Sequence, residues 1–198
     1  MSRLEALMVE GSTFNKVKVL TDADVLGLAD RVRSDCKKYL RDVFDRSGWK
    51  IMRRSVGVRM IGRVYRVIPR SDRRSKDLGK TLHDNLNKVF SERFGWKVRG
   101  GVFTYTQGMY GVLTSNIFLP IGDYKYCYSP YVVDLWDDRM KLGVMDLSEL
   151  DSWIADKYLD KYLDTQLMGS MKSVEVAWKC KAYYLIHGTV WERMGMYG

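Results

Sequence analysis

The chain has 198 residues, 46% of them apolar and 29% charged, so a folded core is expected and intrinsic disorder is excluded. Its formal net charge of +9 favours contact with phosphate, in nucleic acid, a nucleotide or a membrane surface, with a merely solvated basic face as the alternative. No stretch approaches the ~18 consecutive apolar residues of a membrane-spanning helix, and the first residues lack the apolar block of a secretory signal. Neither membrane insertion nor signal-directed secretion is expected.

Taken in chain order, the first predicted element starts at Thr21, a good N-cap followed by Asp22 and Asp24. Val25, Leu28, Val32, Cys36, Leu40 and Val43 then recur at spacings of three and four, the pattern of an amphipathic helix. It is expected to end near Ser47-Gly48, so residues 1–48 read as an N-terminal helical extension and 49–198 as an α+β domain. Residues 31–80 hold 17 Lys/Arg against 5 Asp/Glu, which concentrates the positive charge there. One or two strands are predicted between Trp49 and Pro69, broken at Gly57 and Gly62, before the cationic loop RSDRRSKD.

A second helix starts at about Asp77, buries Leu78, Leu82, Leu86, Val89 and Phe90, and stops at Gly95. GVFTYT, NIFLPIG and DYKYCYS read as strands, and Asp134 to Met140 as a short helix. Ser148 and Asp151 form an approximate capping box for a longer helix with Leu150, Ile154, Tyr158 and Tyr162 on one face. VEVAWK and KAYYLI are the last two predicted strands. Helices and strands mix without regular β-α-β alternation, which is the pattern of an α+β fold.

Several chemistries are excluded or disfavoured. Neither GxGxxG nor GxxxxGK[ST] occurs, nor G-x-S-x-G or H-E-x-x-H. Cys36, Cys127 and Cys180 are widely spaced and odd in number, so reduced thiols are expected in place of a disulfide framework or zinc site. His83 and His187 form no local metal motif. What remains are polar residues on apolar strands. Arg66 alternates with Val64 and Ile68 and so shares their face, where a guanidinium needs a partner. Thr104 and Thr106 follow Val102 on one face of GVFTYT, although threonine is also simply a good strand former. In SVEVAWK, Val174, Val176 and Trp178 form an apolar face, and Glu175 sits opposite between the small residues Ser173 and Ala177. A partly covered carboxylate that meets a ligand and an exposed strand glutamate are both open readings there.

In order along the chain, VYRV, VFTYT and SVEVAWKCKAYYLI resemble the ADP-ribosyltransferases of the arginine-serine-glutamate type. The stretch GVFTYTQGMYGVLTSNIFLPIGDYKYCYSP is also similar to small proteins of tailed bacteriophages. The resemblance spans residues 62–187 and implies a split β-sheet core with flanking helices and NAD as substrate, without a metal. It gives Glu175 the catalytic role, stabilising an oxocarbenium-like ribose as nicotinamide leaves. It gives Arg66 a phosphate or ribose of the dinucleotide, or Glu175 itself, as partner, with a purely structural ion pair as the alternative. Thr104 and Thr106 would order Arg66 or Glu175, and Tyr110 is the candidate to stack on nicotinamide, with a core role as its alternative.

The central motif is Thr-Tyr-Thr where the family has a small central residue, and Ser173 stands where arginine-modifying members carry Glu or Gln. That departure argues against an arginine acceptor. Two functions follow from the resemblance. One is a phage enzyme of the host cytoplasm that transfers ADP-ribose from NAD to a host protein or nucleic acid, or that hydrolyses NAD. The other is a catalytically inert component of the virus particle, in contact with neighbouring virion proteins or packaged DNA.

Overall fold

The two richest runs of β-branched and aromatic residues form the two longest strands, and the rest of the fold is arranged around their pairing. The structure is a computed structural model that describes residues 22–44, 53–55, 64–70, 78–105, 115–132, 135, 138–160 and 175–196. Helix α1 (Asp22–Asp35) runs through α2 (Lys37–Tyr39) into a π-helical turn at Leu40–Phe44. Strands β1 (Arg53–Ser55) and β2 (Val64–Val67) precede α3 (Lys80–Phe94), which Gly95 caps at φ 74° in the left-handed region. A 3-10 turn at Val98–Gly100 leads into β3 (Val102–Tyr105), followed by β4 (Ser115–Tyr128). Short α4 (Arg139–Leu142), α5 (Leu147–Lys157), β5 (Glu175–His187) and α6 (Gly188–Arg193) complete the described elements. The fold class is α+β, with helices on an antiparallel sheet.

NIFLPIG and DYKYCYS, expected as separate strands, are one strand. The pairing of β4 with β5 shifts register between Ile121 and Tyr124, and Gly122 sits in the bulge at φ 66°. A glycine that can adopt positive φ lets the ladder absorb an extra residue, so it bends the strand without ending it. Among the described residues β1 pairs with β4 at Ser115–Ile117 and not at Pro120, so no described partner on that edge calls for a Pro120 N–H. VEVAWK and KAYYLI likewise merge into β5, which has no internal turn residue to break it.

Helical periodicity is obeyed where it was expected. Val25, Leu28, Val32 and Cys36 are buried on α1, and Leu86, Val89 and Phe90 on α3. The α1 stripe packs in one core with Val102, Phe118, Trp178 and Tyr184 of the strands. That helix therefore packs directly on the sheet, in one core with its strands. Helix α1 is tied to the sheet by Tyr184, whose hydroxyl donates to Asp35 at 2.7 Å, and the adjoining α2 by Lys38, which pairs with Asp123 at 2.9 Å. A second core on the other side of the sheet joins Leu86 and Phe90 of α3 and Leu150 and Ile154 of α5 to Cys127 and Ala177.

The capping box of α5 lies two residues earlier than expected. Asp146 accepts from the Glu149 backbone N–H at 2.9 Å, and the Glu149 carboxylate accepts from the Asp146 N–H at 2.9 Å. The aspartate competes better for the cap than Ser148 because it also places a negative charge at the helix N-terminus. Tyr162 and Ser47-Gly48 lie outside the described residues. Among the described residues no helix is long and apolar enough to cross a membrane.

Candidate functional site

Glu175 opens β5 directly opposite Tyr105 of β3. Side chains two apart on a strand share a face, so Glu175 points the same way as Ala177, into the layer of α3 and α5. The carboxylate is 11% exposed and is held by two groups. Arg99 donates from Nη1 to Oε1 at 3.3 Å, and the Tyr105 hydroxyl donates to Oε2 at 3.3 Å.

Arg99, 9% exposed at its side chain, also lies over the Phe103 ring at 4.3 Å from its centroid. Its backbone N–H donates to Asn87 Oδ1 at 2.9 Å, and Asn87 Nδ2 is in turn 2.9 Å from His83 Nε2. Tyr158 closes the nest. Burial holds its phenol well above the ordinary tyrosine range, against the opposing pull of Arg99 and with Glu175 adding to the rise. Sequence reasoning missed Arg99, because its role depends on a contact across the fold. The available signal was an arginine set between Val98 and Gly100-Gly101, immediately before VFTYT.

Arg66 does not join this nest. It is exposed and lies opposite Tyr184, toward the far end of β5 from Glu175. Tyr184 reaches Asp35 of α1, so Arg66 shares the face of the opposite layer. The expected pairing of Arg66 with Glu175 is thus replaced by Arg99 with Glu175. Its neighbour Val64 does look into the core, but Ile68 is 56% exposed, so the face leaves the core along the strand.

Thr104 orders neither Arg66 nor Glu175. It is fully buried, accepts from Trp178 Nε1 at 2.7 Å and donates to the Val176 carbonyl at 3.4 Å. Its hydroxyl satisfies a buried indole, which explains a polar atom on that face. Thr106 and Tyr110 lie outside the described residues.

Further along β5 the coverage changes. Strand β3 pairs with Glu175–Trp178 and β2 with Tyr183–Ile186, while β4 pairs from Val176 to His187, apart from the bulge at Lys181. Lys179 to Ala182 thus have no strand on that edge among the described residues. A groove of about 1030 Å³ opens at this gap, walled by α3, the turn before β3 and the middle of β5. Five cations line it (Arg70, Lys88, Lys97, Lys179 and Lys181), against the two carboxylates Asp84 and Glu92.

His83 and Asn87 also line the groove, so the polar chain from Glu175 through Arg99 ends at its wall. Gly101 brings the turn against β5. A Cβ there would stand 2.8 Å from the Trp178 carbonyl and 3.0 Å from that of Val98, both backbone atoms. Among the described residues no three His, Cys, Asp or Glu side chains are grouped as metal ligands would be.

No family model, curated protein or solved structure matches the chain.

Proposed function

We propose that the protein binds nucleic acid through the groove at the gap between β2 and β3. The observation that carries this reading is the ring of five cations against two carboxylates around an open groove. Lysines and arginines on a solvated wall attract phosphates and release their counterions, so the binding is electrostatic and salt-dependent. Trp96 is 4% exposed and Trp178 fully buried, so neither offers a face for base stacking. The expected recognition is of the phosphate backbone, with little preference for sequence.

The test is a titration of duplex DNA by fluorescence anisotropy across a range of salt. A log–log slope of about −4 is expected if all five cations meet phosphates, and Lys179→Ala with Lys181→Ala should reduce it by about 2. Absence of binding at low salt overturns the proposal.

A second reading has one observation in its favour: the register that sets Tyr105 of VFTYT on Glu175. Two of the three segments that resemble ADP-ribosyltransferases meet there. In this reading NAD is the substrate. The ribose–nicotinamide bond breaks with its electron pair leaving on nicotinamide, Glu175 steadies the positive ribose, and an acceptor nucleophile attacks the same carbon.

Both Glu175 oxygens are already engaged, so contact with a ribose hydroxyl requires Arg99 or Tyr105 to yield one of them. Nicotinamide release from NAD, compared between wild type and Glu175→Gln, decides it. Equal release from both overturns the reading. A phage origin, and residence in a host cytoplasm or a virus particle, go with the same resemblance.

A further inference from the structure

His83 and Asn87 stand one turn apart on α3, and both line the groove. They are 4% and 7% exposed, so their polar atoms depend on partners within the protein. One fixed donor sets the direction of the chain of bonds. A main-chain N–H only donates, so the Asn87 atom 2.9 Å from the Arg99 nitrogen is the carbonyl oxygen. The amide nitrogen of Asn87 is thereby turned to His83, 2.9 Å from Nε2. That nitrogen only donates as well, so Nε2 accepts, and the neutral ring carries its proton on Nδ1.

Proton uptake at Nε2 upsets this arrangement by setting N–H against N–H. Turning the Asn87 amide over would meet the new proton with its oxygen, but would set its nitrogen against the Arg99 N–H. Asn87 can thus serve a protonated His83 or the Arg99 main chain, and not both. The main chain at issue is the turn Val98–Gly100. Its flanking Lys97 and Gly101 line the groove, and its Arg99 side chain holds Glu175.

We infer that His83 is a proton-operated latch between α3 and the turn before β3. Unprotonated, it keeps Asn87 in the orientation that fastens the turn, and protonated, it releases it. The inference stands on the fold and holds whether or not the groove takes nucleic acid. The charged and titratable groups that share the groove with His83 are Asp84, Lys88 and Glu92 of α3, Arg70 after β2, Lys97 beside the turn, and Lys179, Cys180 and Lys181 of β5. On the Arg99 side stand Glu175, Tyr105 and Tyr158. The five cations oppose a positive ring, as do its burial and the Asn87 donor. Only two carboxylates in the groove favour it, and Glu175 is already paired. The unfolded chain takes up the proton without these costs, so the native state loses stability as pH falls below about 6.5, the ordinary histidine range.

Nitrogen NMR of the imidazole rings reads the latch directly. The chain has two histidines, and His187→Gln identifies the His83 signals by elimination. At about pH 7.5 the His83 ring should be neutral, with Nδ1 protonated and Nε2 bare. A proton on Nε2 overturns the inference. The second measurement needs no variant. From about pH 7.5 to about pH 5.5 the exchange protection of the Arg99 amide should fall several-fold, whereas that of Gly101, bonded to Val98 within the turn at 2.9 Å, should hold. Equal behaviour of the two amides overturns it.

Two variants give the sign. His83→Gln offers Asn87 an oxygen that takes up no proton, so over the same interval its unfolding midpoint should fall by about 2–4 °C less than that of wild type. A folded Asn87→Asp accepts from the Arg99 N–H and from a protonated ring alike, and it should lose the acid sensitivity as well. The full acid sensitivity of wild type, found in either variant, overturns the latch.

Discussion

At its start, β5 carries Glu175 beneath Arg99 and Tyr105, and further along it carries Lys179 and Lys181 on the wall of an open groove. The same strand thus holds charge in two ways. The first region is covered by β3 and by the layer of α3 and α5, so its charges must be matched within the protein. The second has no strand on one edge among the described residues, and its Lys179 and Lys181 are exposed and available to a partner. Coverage, more than sequence, decides which charges are structural and which can serve binding.

The sharpest way to break that contrast is Arg99→Ala. If the nest is matched internally, removing the cation leaves a carboxylate that is 11% exposed without its partner. A loss of about 3–5 kcal/mol is expected, read from urea unfolding at neutral pH. Replacing Arg99 and Glu175 together with methionine should recover much of it, since no charge is then stranded. A cost below about 1 kcal/mol for Arg99→Ala would place the pair in the class of surface ion pairs and erase the distinction.

A second test addresses the wall between the two regions. Gly101 holds the turn against β5, where an added methyl group would meet backbone atoms that cannot rotate away. Gly101→Ala should cost about 1–3 kcal/mol by forcing that contact apart. The control is Gly27→Ala on the exposed side of α1, where a Cβ meets nothing within 4 Å. Loss of the helix-interior glycine penalty should stabilise by about 0.5–1 kcal/mol there. Opposite signs for the same chemical change, measured by thermal unfolding, would show that close approach sets the requirement at Gly101.

How much of this was legible depended on whether the information was local. The stripes of α1 and α3 follow from spacings within one helix, and Val25, Leu28, Leu86 and Val89 are buried as those spacings require. Glu175 between small residues left a partly covered carboxylate and an exposed strand glutamate both open, and only the fold shows it 11% exposed. The merging of NIFLPIG with DYKYCYS was hidden because a glycine in a bulge and a glycine in a turn look alike until the partner strand is known. The partner of Glu175 was hidden for a similar reason: Arg99 is brought to it by the register of β3 on β5, which no window of sequence contains. Thr104 was visible as a polar atom facing a core, but the indole that needs it is Trp178, far along the chain.

The smallest expected effect belongs to Arg66, and it bears on the comparison because Arg66 was the charge that strand alternation marked out. The side chain is exposed and stands opposite Tyr184, whose own hydroxyl is committed to Asp35. Truncation there removes neither a buried ion pair nor a groove cation, so Arg66→Ala should change stability by no more than about 0.5 kcal/mol in either direction. It should also leave the affinity for duplex DNA within about twofold of wild type at matched salt, because Arg66 is not among the residues that line the groove and an exposed charge is screened by salt. A larger loss of stability would mean that Arg66 is matched within the protein, as Arg99 is. A larger loss of DNA affinity with stability unchanged would extend the binding face around the edge of β2, onto the side of the sheet that α1 covers.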